Sequence, residues 1–293
     1  MYLVTGASGH FGQATLAHLL NTLKVPAGNI IAVTRSPEKL AHLKAKGVDV
    51  RAGDFNDEAA LVTAFKGATR LLLISTDDLT QPGRRQKQHE AAVRAAEKAG
   101  VAHVLYTSLQ KAESSAVSFA PEHLGTENAI KSAALKGYTL LRNSWYFENL
   151  FFGIPQALAS GTQYSAAGNG RIAHIARDDL ARAAAAALAS GQEGRFTYTL
   201  TGAAEYTTAE IAALVSKATA KPLAVVQVPL EGLTQGMIAA GVPAPLAAVF
   251  ASFDDNTAKG GLSGVTGDYK ALTGVEPQAF ETWLTKNAAA LAG

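Results

Sequence analysis

The 293-residue chain contains no cysteine, which excludes disulfides, thiolate metal sites and cysteine nucleophiles at the outset. It also lacks any run of about 18 consecutive apolar residues, the length a membrane-spanning helix needs. The opening MYLVTGASG carries no basic leader of the export kind, so the cytoplasm is the expected location. Charge of one sign is scarce, with a formal net charge of only +2. The densest basic stretch, GRRQKQ at 83–88, reads as the solvated start of a helix rather than a nucleic-acid patch, so no nucleic-acid partner is expected. G-x-x-x-x-G-K-[ST] is absent, which disfavours a P-loop enzyme, and neither H-E-x-x-H nor a His/Asp cluster offers a metal site.

What is present is an ordinary globular composition, 48% hydrophobic and 17% charged, in a chain long enough for one large domain or a domain with an appended lobe. The charge is unevenly divided. Residues 1–143 carry 17 Lys/Arg against 12 Asp/Glu and the remainder 9 against 12, so the first half leans towards an anionic ligand.

That first half alternates short β-branched runs with longer helical patterns: YLVTG (2–6), NIIAVTR (29–35), VDVRAGDF (48–55), RLLLIST (70–76), AHVLYTSL (102–109) and YTLLRNS (138–144). Strands separated by helices imply right-handed βαβ crossovers and a parallel sheet covered on both faces, an α/β class of the doubly wound, Rossmann type. After Asn143 the rhythm breaks into an aromatic stretch, a strand-like RIAHIA (171–176), an alanine-rich helix that Asp178 and Asp179 begin, and a capping box from Thr207 to Glu210. The expected division is a dinucleotide-binding core over 1–143 and, over 144–293, mainly a smaller substrate lobe with some segments returning to the sheet.

TGASGHFG (5–12) follows the first strand and opens the first helix, which gives its glycines separate tasks. Gly6 makes the tight turn, Gly9 lets backbone approach a pyrophosphate, and Gly12 packs helix on strand, with the helix N-terminus aimed at the anion. An NAD enzyme places Asp or Glu on the ribose 2′-hydroxyl about 20 residues beyond such a turn, whereas Arg there accommodates a 2′-phosphate. Arg35 stands at that place with no carboxylate at 33–36, either as an ordinary surface residue or as the phosphate's partner. On the second reading the cofactor is NADPH rather than NADH.

The glycine spacing, GDFND (53–57), LLLIST, AHVLYTSL and YTLLRNSWYFEN together resemble the NmrA-like group of atypical short-chain dehydrogenase/reductases. Within it the likeness is greatest to the bacterial NAD(P)H:quinone oxidoreductase and triphenylmethane reductase branch, and it runs nearly end to end. The resemblance implies that Gly6, Ala7, Ser8, Gly9, His10 and Phe11 cradle the pyrophosphate. It puts Arg35 on the 2′-phosphate, Asp54 and Phe55 beside the adenine, Ser75, Thr76 and Asp77 along the nicotinamide ribose, and Asn143 on the nicotinamide side. Trp145, Tyr146 and Phe147 would wall the substrate cleft or simply form the seam between lobes, with Tyr146 able to meet a substrate oxygen. No flavin or metal is expected, and the chain is a monomer or a homodimer.

Carbonyl reductases of the wider superfamily carry Tyr-x-x-x-Lys on the helix after the fifth strand, where this chain reads His123-x-x-x-Glu127 within APEHLGTENAIK (120–131). That pair is either a helix-surface or hinge pair or, through His123, a proton relay. A simple ketone reduced without the acid leaves an alkoxide with a conjugate pKa near the ~16 of water. A quinone leaves a phenolate-type oxygen near about 10. The gap of roughly six units is about 8 kcal/mol of product basicity, which favours a quinone or similar conjugated acceptor taking two electrons as hydride. The rival expectation is an NADP-sensing regulatory protein without turnover.

Overall fold

The computed structural model describes residues 1–79 and 81–293. Its first half runs β1 (Tyr2–Val4), α1 (His10–Ala17), β2 (Ile30–Thr34), α2 (Ala41–Lys44), β3 (Asp49–Ala52), α3 (Glu58–Phe65), β4 (Arg70–Leu73), α4 (Arg84–Lys98), β5 (His103–Leu109), α5 (Ala120–Ser132) and β6 (Gly137–Asn143). There follow α6 (Ile154–Ser160), β7 (Thr162–Ser165), β8 (Arg171–Ile172), α7 (Arg177–Ala189), β9 (Arg195–Leu200), β10 (Tyr206–Thr207) and α8 (Thr208–Thr219). The chain closes with β11 (Ala224–Gln227), α9 (Leu230–Ala239), α10 (Ala244–Ala258), α11 (Asp268–Thr273) and α12 (Phe280–Ala292).

Seven strands form one parallel sheet in the order β3-β2-β1-β4-β5-β6-β9. β2 and β4 are buried along their whole length, and IIAVT and RLLL accordingly read as largely continuous apolar runs rather than alternating ones. The order is the doubly wound Rossmann arrangement extended by one strand, and its reversal between β1 and β4 opens a crevice at the carboxyl ends of the strands. One face of the sheet is covered by α3, α4 and α5 through Leu61, Phe65, Val93 and Ile130. The other is covered by α1 with the helical turn that follows it (His18–Thr22) and by α7, through Leu16, Leu19, Leu180 and Leu188, with Tyr269 of α11 beside them. Alanines 183, 184, 185 and 187 are all buried, and their small side chains let α7 lie close against α1.

Thus α7, β9 and α11, all beyond Asn143, belong to the sheet layer, while α6, α8 and α12 pack a separate core around Phe147, Ile211, Val215, Phe280 and Trp283. Two local expectations are corrected. RIAHIA is strand only at Arg171–Ile172, after which Ile175 makes a lone bridge to Tyr146. Asp178 and Asp179 sit in the first turn of α7 but do not cap it: Asp178 meets His18, while Asp179 accepts from the Tyr269 hydroxyl at 2.9 Å and the Gln278 N–H at 2.7 Å. The capping box closes as expected, Thr207 N–H donating to Glu210 at 2.7 Å and Glu210 N–H to the Thr207 hydroxyl at 3.2 Å.

Candidate functional site

A cleft of about 2170 Å³ runs from the first βα turn, past the carboxyl ends of β4, β5 and β6, into the lobe between α6 and the α9–α10 pair. Single-ligand pockets occupy roughly 300–1,000 Å³, so this one has room for a dinucleotide and a second molecule.

The turn at its head is built by glycine. Gly6 has φ +58°, a region other residues rarely adopt, and a Cβ on Gly12 would lie 2.4 Å from the Gly6 carbonyl oxygen and 2.8 Å from the Ala7 Cα. The helix therefore starts hard against the strand, and its first turn, whose N–H groups have no intrahelical acceptor, lies at the head of the cleft. Gly6, Ser8, Gly9, His10 and Phe11 line the cleft, but Ala7 does not: it is fully buried beneath the turn, its N–H bound to the Val33 carbonyl at 3.1 Å. The Ser8 hydroxyl pairs with that of Thr34 at 2.7 Å, at the end of β2. Beyond it Arg35 and Lys39 are exposed on the cleft wall, and neither has a carboxylate partner among the described residues. Lys39 escaped the sequence reading although it lies four residues from Arg35. Asp54, accepting from the N–H and side-chain amide of Asn56, and Phe55 line the same side.

Ser75, Thr76 and Asp77 border the middle of the cleft. Asn143 and Ser144 face them from the end of β6, and here the structure holds buried polar atoms with no partner: both amide atoms of Asn143 and the Ser144 hydroxyl. Buried polar atoms are almost always hydrogen-bonded, so these are open to the polar groups of a ligand. An unpartnered amide across from the β4 end, an open helix N-terminus and two free cations fit a phosphorylated dinucleotide.

The aromatic stretch divides. Trp145 packs edge-on against Phe253 at 4.7 Å between ring centres, and Tyr146 lies under the Arg177 guanidinium at 5.6 Å; both line the cleft, and burial pushes the Tyr146 phenol above its ordinary range. Phe147 does not line it. It is 2% exposed and stacked on Phe280 at 4.9 Å in the lobe core. The far wall instead uses Met237, Phe250 and Phe253 of α9 and α10, for which the sequence offered no local signal.

His123 and Glu127 are not a surface pair. They are 5% and 0% exposed, because α5 packs against both α4 and the sheet, and they share no hydrogen bond with one another. Glu127 receives Arg142 on both oxygens at 2.9 and 2.8 Å and Ser108 at 2.7 Å; burial pushes its carboxyl up, but those bonds outweigh it and hold it below the ordinary range. His123 does line the cleft. Its Nε2 accepts from Arg85 at 3.2 Å, which leaves Nδ1 to donate to Tyr106 at 2.8 Å. Burial, with Arg85 alongside, lowers its pKa to about 3, so the ring is neutral and carries no transferable acid proton at neutral pH. Burial likewise raises the Tyr106 phenol beyond use as an acid. GRRQKQ is equally far from a solvated helix start, since Arg85 and Gln88 are buried. Among the described residues no group of three or more His, Cys, Asp or Glu could hold a metal ion, and no helix is long and apolar enough to cross a membrane.

The profile of the NmrA-like family matches residues 2–284. Quinone oxidoreductase 2 of Escherichia coli (strain K12) is 40% identical over 268 residues, 89% of this chain and 90% of that protein. The structure of the E. coli NADPH-dependent quinone oxidoreductase complexed with NADPH superposes over 100% of both chains with a TM-score of 0.91 at 36% identity. Citrobacter sp. triphenylmethane reductase complexed with NADP(H) matches with a TM-score of 0.87 at 36% identity, covering 98% of this chain and 99% of its own.

Proposed function

The chain belongs to the NmrA-like family, and from that premise we propose that it is an NADPH-dependent reductase that transfers two electrons, as hydride, to a quinone or a similar conjugated acceptor. One observation carries the reading: the helix on which carbonyl reductases place their acid offers only a neutral histidine, already bonded at both nitrogens, and a carboxylate locked to Arg142. Such a site suits a product that is stable without a tuned proton donor.

Bound NADPH supplies the hydride. The chain's own residues do the rest. The first turn of α1 and the Arg35/Lys39 pair hold the phosphates. Asn143 and Ser144 offer hydrogen bonds to whatever oxygen or amide lies above the β6 end, and Trp145, Tyr146, Phe250 and Phe253 give a flat apolar acceptor a stacking wall that excludes water. Positioning of this kind is worth about 7–11 kcal/mol of barrier in favourable intramolecular cases, enough to drive a transfer without acid catalysis.

The test mixes purified protein with NADPH and a panel of quinones and triphenylmethane dyes while NADPH absorbance is followed. NADPH is consumed only when an acceptor is present, and one quinol forms per NADPH. Tight NADPH binding with no turnover on any acceptor would instead support a regulatory cofactor sensor.

A further inference from the structure

One residue bordering the cleft is held more completely than any sequence motif foretells. All three polar groups of Thr76, just past the end of β4, are engaged by a single face of α4. The Arg85 Nε–H donates to the Thr76 carbonyl at 2.6 Å, the Thr76 N–H donates to His89 Nε2 at 2.9 Å, and the Thr76 hydroxyl donates to Gln88 Oε1 at 3.0 Å. Positions 85, 88 and 89 are spaced i, i+3 and i+4, the spacing that stacks side chains on one face of a helix. All three are buried, His89 completely.

The grip is itself anchored. Arg85 also donates to Glu122 and His123 of α5, each at 3.2 Å, and lies over the Phe119 ring at 4.8 Å. His89 passes its remaining proton, on Nδ1, to Thr126 at 3.0 Å. Burial, with Arg85 and His123 nearby, holds the His89 pKa well below its ordinary value, so Nε2 stays a lone-pair acceptor at neutral pH. Gln88 uses its amide N–H on Asn56 at 3.2 Å, and Asn56 is bound to Asp54. One helix face therefore ties together two loops that border the cleft, one after β3 and one after β4. A helix interior rarely buries Arg, Gln and His at adjacent positions, and each is accounted for by a backbone or loop group rather than by core packing.

We propose that Arg85, Gln88 and His89 are positioning residues for hydride transfer, fixing the Thr76 backbone so that the cofactor bound against it meets the acceptor at reacting distance. This rests on the reductase reading above. Displacement by about 1 Å at a reacting centre costs about a hundredfold in rate, whereas the phosphate contacts that dominate cofactor affinity lie elsewhere.

The experiment compares Arg85→Met, Arg85→Lys, His89→Leu and His89→Gln with the wild-type enzyme by steady-state kinetics, by the isotope effect with nicotinamide-deuterated NADPH, and by amide hydrogen exchange at residues 75–77. Arg85→Met and His89→Leu lower kcat by about tenfold to a hundredfold, raise the isotope effect, speed exchange at Thr76 and leave NADPH affinity within a few fold. Arg85→Lys falls with Arg85→Met, because a lysine keeps the charge but not the fork. His89→Gln, whose Oε1 can accept the Thr76 N–H, recovers most of the rate. Wild-type turnover with full activity in His89→Leu and Arg85→Met overturns the grip alone, as does Arg85→Lys matching wild type or His89→Gln failing as His89→Leu does. A wild type that turns over no acceptor overturns the reductase reading and the grip with it. Where a variant does not fold, the two conservative replacements decide.

Discussion

Arg35 is exposed on the cleft wall beside Lys39 without a carboxylate partner among the described residues, and on the proposed reading its guanidinium at the end of β2 meets the 2′-phosphate. Arg35→Ala is expected to raise the KM for NADPH at least about tenfold, about 1.4 kcal/mol of lost binding, while the KM for NADH changes little. Equal effects on both cofactors would sink the assignment. His123 has the opposite character, a titratable group that does not titrate where it matters. Its folded pKa of about 3 predicts that His123→Gln leaves the shape of the kcat/KM profile unchanged between about pH 6 and 8. A lost inflection near neutrality in the variant would make it a proton relay after all.

Single elements show what was legible and what was not. The βα rhythm, the glycine turn and the Thr207 capping box depend on neighbours within a few residues, and the sequence displays them directly. The inward turn of Phe147, the buried Arg85 and Gln88 and the α10 wall depend on partners far along the chain, such as Phe280 for Phe147, and no local pattern encodes them. Arg70 is the same kind of case: from β4 its guanidinium donates to the carbonyls of Ala187 and Leu188 in the last turn of α7 and of Gln192 just beyond it. Glu127 binds α5 to β5 and β6, and removing one partner of such a buried pair costs about 3–5 kcal/mol. Glu127→Gln should lower the melting temperature accordingly at neutral pH. Because the folded carboxyl is held below its unfolded value of 4.5, that contribution is full above the unfolded value and fades as pH falls through the folded one. The gap in melting temperature between wild type and variant therefore narrows under strongly acid conditions, and a gap that stays constant there would refute the pairing.

At the scale of the molecule, four histidines are buried neutral: His89 well below its ordinary pKa, His103 lowered to about 4, and His123 and His174 to about 3, burial being the first cause in each. A folded pKa below the unfolded 6.5 means that the unfolded chain binds more protons once pH drops under that value, so stability is complete above it and declines beneath it. Each contributes up to about 1.4 kcal/mol per pH unit once pH is well below 6.5, so together the four rings take a substantial share of a domain's stability over the next units down. Urea titrations at stepped pH should show a steep fall in the unfolding midpoint from about pH 6.5 downward, and a flat midpoint to about pH 5 would contradict the four neutral rings.

The return of α7 and β9 to the sheet has a consequence for how the two parts of the molecule relate as heritable units. The segment that caps one face of the dinucleotide layer and the strand that flanks β6 are both encoded downstream of the first lobe elements, so cutting the gene after Asn143 leaves β6 as a bare edge and the Leu16–Leu19 face uncovered. The lobe is woven through the sheet rather than appended to it. Exchange of lobes between relatives is thus closed to simple fusion at that point, because the graft would carry away a strand and a covering helix of the sheet.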